Sequence, residues 1–188
     1  MLLPLAALVS LVALAEPGAL TGRVEGLPLR FLGETVVYVR GLPVPPAAPH
    51  RVAIDQRGMR FVPHVTVIEQ GDTVEFLNHD AVEHNVFTPD NEGFNLGMIK
   101  PSTSRQYTFS RAGVYAQLCS VHAEMLAYVF VGENPYQAAV DAQGGFRIDR
   151  VPPGTYRVAV WNSHFKAPEQ AVAVVEGKAT VLTFTLRR

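Results

Sequence analysis

The sequence of 188 residues has a single cysteine, Cys119, and a formal net charge of only −1. One cysteine excludes an intramolecular disulfide, a Cys-x-x-Cys redox pair and a zinc site built from several cysteines. A charge near zero provides no strongly basic face, so nucleic acid is not an expected partner. The sequence also lacks any apolar run of about 20 residues, the length of a membrane-spanning helix. Apolar residues nevertheless make up 48% of the chain, enough to bury a core.

The longest apolar run is at the beginning of the chain, where residues 1–15 carry no charged side chain. The run is too short for a transmembrane helix but has the length of a signal-peptide core. It ends in Ala13-Leu14-Ala15, which places small residues at the positions of a cleavage site. We therefore expect a signal peptide over residues 1–15 and a periplasmic or extracellular protein, held at a membrane only if the segment is not cleaved. The alternative is a buried N-terminal segment of the first domain.

Short runs of β-branched and aromatic residues recur through the rest of the chain. Turn signals separate them, such as Gln-Gly-Asp at 70–72 and Pro-Pro-Gly at 152–154. No segment has a convincing period of 3.6 residues, and the 15 glycines and 14 prolines favour turns over helices. The pattern predicts an all-β protein that contains one or more β-sandwiches.

Two stretches of the sequence resemble boundaries between domains. Residues 41–49 are rich in proline, which cannot continue a central strand. Gly132-Glu-Asn-Pro135 follows an apolar strand that ends at Val131. Cys119 and most of the six histidines lie between the two stretches. We therefore predict an inserted domain over residues 49–132.

Three candidate metal ligands, Cys119, His122 and Met125, follow one another at intervals of three residues. Strand-like residues precede and follow this segment, which predicts a tight loop that turns the three side chains toward one point. A further histidine is available upstream at 76–87, where the sequence FLNHDAVEHNVF holds both His79 and His84. One thiolate, two imidazoles and a weak thioether form the His₂Cys set with axial Met that is typical of blue copper.

The stretch from about residue 51 to residue 132 resembles the cupredoxins, in particular the plastocyanin, pseudoazurin and amicyanin branch. The matching motifs are FVPHVTV at 61–67, GDTVEFLN at 71–78, HNV at 84–86, GVY at 113–115 and CSVHAEM at 119–125. The two-residue gap between His122 and Met125 is most similar to that of amicyanin. The sequence departs from many relatives in having Leu126-Ala127 after the methionine, where they carry a glycine.

The resemblance implies a Greek-key cupredoxin β-sandwich that holds one type 1 copper ion. By that resemblance, His84, Cys119 and His122 are the strong equatorial ligands and Met125 is the axial ligand. Asn85 falls where the family has an asparagine that ties the two ligand loops together. Such partners orient the metal-binding side chains and tune the metal.

A structural interpretation without metal is also open for each of these residues. Cys119 could be a buried thiol beside an exposed His122 and a core Met125, because a free cysteine behaves as a small hydrophobe. His79 is expected to be exposed in a turn rather than to bind metal. The remaining histidines and methionines are expected at the surface, in loops or in packing positions: His50, His64, His164, Met59 and Met98.

The C-terminal part resembles a second family, the carboxypeptidase regulatory-like, transthyretin-type β-sandwich. The matching pieces are a turn at 141–145, GFRI at 145–148, VPPGTY at 151–156 and an alternating strand that ends at Trp161. This resemblance implies a small discontinuous domain formed by residues 16–48 and 133–188, with the cupredoxin inserted between its strands. The alternative is a cupredoxin with strand-like extensions packed on it.

These features together predict an exported copper protein that carries single electrons through Cu(II)/Cu(I). The resemblance implies that His122 is the ligand nearest the surface and the point of electron exit. The expected partner is another redox protein, such as a cytochrome, a dehydrogenase or an oxidase. The alternative is a periplasmic protein that binds and delivers copper without redox cycling. An enzyme is not expected, because a multicopper oxidase or nitrite reductase needs further copper sites rich in histidine.

Overall fold

The structure, a computed structural model, describes residues 15–43 and 48–188. Within these ranges the chain forms sixteen strands and one short 3-10 helix, Leu29–Glu34, which confirms the predicted all-β class. Among the described residues no helix is long and apolar enough to cross a bilayer. The predicted signal peptide lies outside the described residues except for Ala15, so it stays a prediction.

The strands follow one another along the chain with short connections. In chain order they are β1 (Gly18–Glu25), β2 (Thr35–Arg40), β3 (Arg51–Gln56), β4 (Phe61–Val62), β5 (Val65–Glu69), β6 (Thr73–Asn78), β7 (His84–Thr88), β8 (Phe94–Ile99), β9 (Ser104–Thr108), β10 (Gly113–Leu118), β11 (Leu126–Gly132), β12 (Gln137–Ala139), β13 (Gly145–Val151), β14 (Gly154–Asn162), β15 (Gln170–Val174) and β16 (Ala179–Thr185). They form four sheets, two from the central segment and two from the segments that flank it.

The central strands form a sandwich of two sheets, in the orders β5-β11-β10-β7-β8 and β4-β3-β6-β9. Two neighbouring pairs, β3 with β6 and β5 with β11, are parallel, and the other pairs are antiparallel. Alternate side chains of a strand point to opposite faces, so Val74, Phe76 and Asn78 of β6 are buried while the residues between them are not. The inward side chains of both sheets share one core, which includes Val74, Phe76, Val86 and Val129.

The flanking segments pair with each other although more than 90 residues separate them in the chain. β1 lies between β13 and β16, and β2 lies between β12 and β14 in a sheet that β15 completes. These two sheets enclose a second core, separate from the first, that includes Leu20, Val37, Phe146, Val158 and Phe184. The flanking segments thus form a sandwich of their own beside the central one.

The two sandwiches meet through aromatic side chains. Tyr38 on β2 and Trp161 on β14 point away from the outer core toward β11. The Tyr38 ring lies 5.0 Å from that of Phe130, and the Trp161 ring lies 5.2 Å from that of Tyr128. Phe130 is 6% exposed yet belongs to neither core, so the junction itself buries it.

Candidate metal centre

The topology of the central sandwich brings the predicted ligands to one end of it. β7 runs antiparallel to β10, so His84 at the start of β7 lies near the end of β10, which Cys119 follows. β10 is also antiparallel to β11, and the pairing of Leu118 with Leu126 closes the loop between the two strands. The loop has seven residues, 119–125, and carries Cys119, His122 and Met125 between the two paired strand ends.

Three of the predicted ligands converge at this end. One donor atom each from His84, Cys119 and His122 lies within 4.8 Å of the others. The two Nδ1 atoms of the histidines face each other at 3.1 Å, about the separation of two nitrogens that each bind one ion at ~2.0–2.1 Å. His84 is fully buried, Cys119 is 5% exposed and His122 is half-buried. The arrangement provides a buried thiol and two imidazole nitrogens, with one ring reaching the surface.

The main chain of Asn85, the residue after His84, contacts Cys119. The N–H of Asn85 donates to Cys119 Sγ over 3.4 Å and so fixes the position of the sulfur atom. The Asn85 side chain points elsewhere and donates to Asn95 Oδ1 at 2.8 Å and to the Gly97 carbonyl at 3.0 Å, both on β8. The expected tie between the two ligand segments is therefore made by the Asn85 main chain, whereas its side chain ties β7 to β8.

Met125 lies beneath the same loop. It is 1% exposed and packs in the central core together with Cys119. Its main-chain N–H donates to the His122 carbonyl at 3.0 Å, which tightens the loop. Its predicted role as axial ligand stays a prediction.

One residue that contacts the site was missed by the sequence reasoning. Asp80 Oδ2 lies 2.8 Å from His84 Nε2, and the Asp80 carboxylate also accepts the N–H groups of Gly58 and Met59. Burial raises the pKa of Asp80, but the two N–H donors and His84 outweigh it and hold that pKa below its usual value. A carboxylate accepts the hydrogen of Nε2 and leaves the Nδ1 lone pair of a neutral ring free for a metal. Asp80 lies four residues before His84, but its sequence context indicated only a turn.

Two histidines that were expected outside the metal site, His79 and His164, are separate from this centre. His79 Nδ1 lies 2.7 Å from Asp55 Oδ1 on the surface of the central sandwich. His164 is exposed and packs edge-on against Phe31 of the outer sandwich. In the described parts of the chain, His84, Cys119 and His122 are the one group of three or more side chains of metal-ligating type that converges.

Several apolar side chains near this end of the sandwich are exposed. Val121 lies in the ligand loop and Val82 in the segment that leads to His84. Met98 pairs with Asn85 across β7 and β8, and Met59 adjoins Asp80. We call these four residues the apolar rim.

Comparison with protein families confirms both resemblances. Residues 48–132 match the family of copper binding proteins described as plastocyanin/azurin. Residues 126–187 match the carboxypeptidase regulatory-like domain. The second match begins at β11 of the central sandwich, while β1 and β2, which complete the outer sheets, precede it.

Solved structures similar to the chain include several copper proteins. Amicyanin from Paracoccus versutus is 26% identical, with a TM-score of 0.41, and the match covers 51% of this chain and 97% of that one. A purple cupredoxin from Nitrosopumilus maritimus is 26% identical, with a TM-score of 0.40, over 43% of this chain and 98% of that one. A copper-containing nitrite reductase from Thermus scotoductus is 26% identical, with a TM-score of 0.43, over 50% of this chain but only 25% of its own. No curated protein matches the chain.

The family match and the converging side chains support the same coarse conclusion. The segment at 48–132 matches a copper-binding family, and its thiol and two imidazoles form a soft, nitrogen- and sulfur-rich donor set that suits copper. The chain therefore contains a central β-sandwich whose sequence matches a copper-binding family and which holds a candidate copper site. Beside it lies a second β-sandwich, whose C-terminal strands match the carboxypeptidase regulatory-like domain.

Proposed function

We propose that this protein is an exported type 1 copper protein that carries single electrons between redox partners. The observation that supports this most directly is the convergence of Cys119 Sγ with a ring nitrogen each of His84 and His122, whose Nδ1 atoms lie 3.1 Å apart at one end of the sandwich. In this proposal these three side chains are the equatorial ligands of one copper ion, and Met125 is the axial ligand. The bound ion would supply a Cu(II)/Cu(I) couple.

The protein around these side chains is suited to holding them still. His84 is fully buried and contacts Asp80, and Cys119 accepts the N–H of Asn85. The loop that carries Cys119 and His122 is closed at its base by the rung between β10 and β11. Ligands that cannot move bind both oxidation states in nearly the same geometry, which favours electron transfer over the release that a copper-delivery protein requires.

The surface near the site suits a brief encounter with another protein. His122 is half-buried and Val121 beside it in the loop is exposed. Val82, just before His84, and Met98, opposite Asn85, are exposed as well. Redox proteins form weak complexes that bury less than about 1,200 Å², so a modest rim is sufficient. The proposed partner is a cytochrome, a dehydrogenase or an oxidase that docks over His122. The proposed location is the periplasm or the extracellular space, because residues 1–15 have the pattern of a signal peptide.

The test is to titrate the purified protein with Cu(II) and record its visible and EPR spectra. We expect an intense thiolate-to-copper charge-transfer band and a narrow copper hyperfine splitting, with the band bleached reversibly by ascorbate. Both features should vanish in Cys119→Ser and persist in His79→Gln, a matched control because His79 is exposed and contacts Asp55 instead. A weak d–d band that Cys119→Ser leaves unchanged would contradict a copper–thiolate site.

A second measurement separates electron transfer from copper delivery. Copper held by fixed, buried ligands should exchange slowly with a chelator and should cycle repeatedly between oxidation states without loss. Rapid transfer of copper to the chelator in either oxidation state would favour the delivery function.

A further inference from the structure

The tip of the β3–β4 hairpin adjoins the metal centre through a single carboxylate. The hairpin has a two-residue loop, Gly58–Met59, between Arg57 and Arg60, whose main chains are hydrogen-bonded at 2.9 Å. Gly58 has a φ of 63° and Met59 a φ of 56°, which are the dihedral signs of a type I′ turn. This turn directs its two central N–H groups away from the hairpin and toward Asp80.

Asp80 connects the turn to a candidate ligand. Its Oδ1 accepts the Gly58 N–H at 2.6 Å, and its Oδ2 accepts the Met59 N–H at 2.8 Å. The same Oδ2 lies 2.8 Å from Nε2 of the fully buried His84. Both oxygens of the carboxylate are therefore held from one side by the hairpin, and one of them contacts the imidazole on the other side.

The backbone of the turn is strained at Met59. A type I′ turn prefers glycine, asparagine or aspartate at its two central positions, and Met59 is none of these. Its side chain is 47% exposed, so burial does not compensate for the left-handed conformation. A strained backbone at such a place points to a role for the main-chain donors that it presents.

We propose that the Gly58–Met59 turn, acting through Asp80, is the device that positions His84. The fixed carboxylate accepts the hydrogen of Nε2, selects the tautomer with a free Nδ1 and aims that nitrogen at Cys119 Sγ and His122 Nδ1. Asp80 and the turn are thus positioning elements rather than ligands. The inference rests on the proposed copper site, but its central claim concerns the state of the His84 ring and can be measured in the metal-free protein.

The same hairpin carries a matched control. Asp55 on β3 is also a carboxylate that contacts a histidine, with Oδ1 at 2.7 Å from His79 Nδ1 and Oδ2 at 3.0 Å from Arg57. His79 does not belong to the converging group. Asp55→Ala therefore removes one negative charge and contacts of the hairpin, as Asp80→Ala does, but leaves the contacts of His84 in place.

The first experiment compares Asp80→Ala with Asp55→Ala in the full chain. Nitrogen-15 NMR of the metal-free protein should show His84 as the Nε2–H tautomer in the parent and in Asp55→Ala, and as a mixture of tautomers in Asp80→Ala. Loss of such a partner typically weakens metal binding about 10–100-fold, so we expect a drop of that order in Cu(II) affinity for Asp80→Ala alone. Asp80→Asn, which keeps one acceptor oxygen, should lie between the two.

The second experiment tests the turn without altering Asp80. A Cβ at Gly58 would meet no atom within 4 Å, so Gly58→Val acts only through its φ of 63° and should shift the His84 tautomer as Asp80→Ala does. Gly41→Val is the control, because Gly41 has a φ of 72° and equally open surroundings far from the site. Met59→Gly keeps the N–H donor and should leave the tautomer unchanged.

The outcomes separate this inference from the proposed function. An unchanged His84 tautomer in folded Asp80→Ala or Gly58→Val would overturn the positioning role, whatever copper does. An equal loss of affinity in Asp80→Ala and Asp55→Ala would overturn it as well. If the parent protein bound no copper but the tautomer shifted as described, the electron-transfer proposal would fail and the positioning role would stand.

Discussion

Asn78 ends β6 and organises the segment that leads to His84. Its buried side-chain amide donates to the carbonyls of Val82 and Ile99, both at 2.8 Å, and its Oδ1 accepts the Asp80 N–H at 2.9 Å. The side chain is 1% exposed. Asn78→Ala therefore removes three hydrogen bonds at once, one of them to the carbonyl of the buried Ile99.

The size of this loss follows from the contacts. Each intramolecular hydrogen bond contributes a net ~0.5–1.5 kcal/mol, so three predict a decrease of about 3 kcal/mol in the free energy of unfolding. The contact with Ile99 adds to the loss, because Ile99 is itself buried and a buried acceptor that loses a donor costs up to about 1–3 kcal/mol. The loop that carries Asp80 should also loosen, which should weaken Cu(II) binding.

Urea denaturation of the metal-free protein measures the decrease directly, provided that the m-value stays unchanged. Gln70→Ala is the matched control. Gln70 is also an amide that donates to a carbonyl, that of Ser110 at 2.8 Å, but it is exposed and should cost less than about 0.5 kcal/mol. A loss below about 1 kcal/mol for Asn78→Ala would refute the reasoning, because it would mean that the three contacts do not hold the segment.

Two further predictions concern the junction and the far end of the central sandwich. Trp161→Ala should lower the free energy of unfolding by about 1–3 kcal/mol, because it removes aromatic contacts with Tyr128 and Phe130 at 5.2 and 6.0 Å. Urea denaturation tests this. An unchanged midpoint would show that the junction contributes nothing to stability. Burial, together with the charge of Glu92, raises the pKa of Tyr115 to about 12. The pKa of Tyr115 in the folded protein thus lies above the ordinary phenol value of about 10. The neutral phenol therefore stabilises the folded state in full below pH ~10, and this stabilisation is lost as the pH rises toward 12. An ultraviolet titration in which Tyr115→Phe removes no late-ionising phenol would contradict this prediction.

The outer sandwich shows which structural features short sequence patterns can predict and which they cannot. Turn motifs and strand alternation at 141–161 suffice to predict the second family. The pairing of β1 with β16, in parallel and across the whole inserted segment, is not visible in either strand alone. Val158 and Trp161 lie on one strand, yet the first packs in the outer core and the second contacts the other sandwich.

The sequence alone determined the all-β class, both family resemblances and the spacing of Cys119, His122 and Met125, because alternation and ligand spacing are properties of short segments. The tertiary structure determined the features that depend on contacts between residues far apart in the sequence. It brought His84, and not the neighbouring His79, to the other donors, and it turned the Asn85 side chain toward β8. It also placed the Gly58–Met59 turn against Asp80, 21 to 22 residues further along. Such contacts depend on strand order and register, which the packing of a whole core selects and no local pattern encodes.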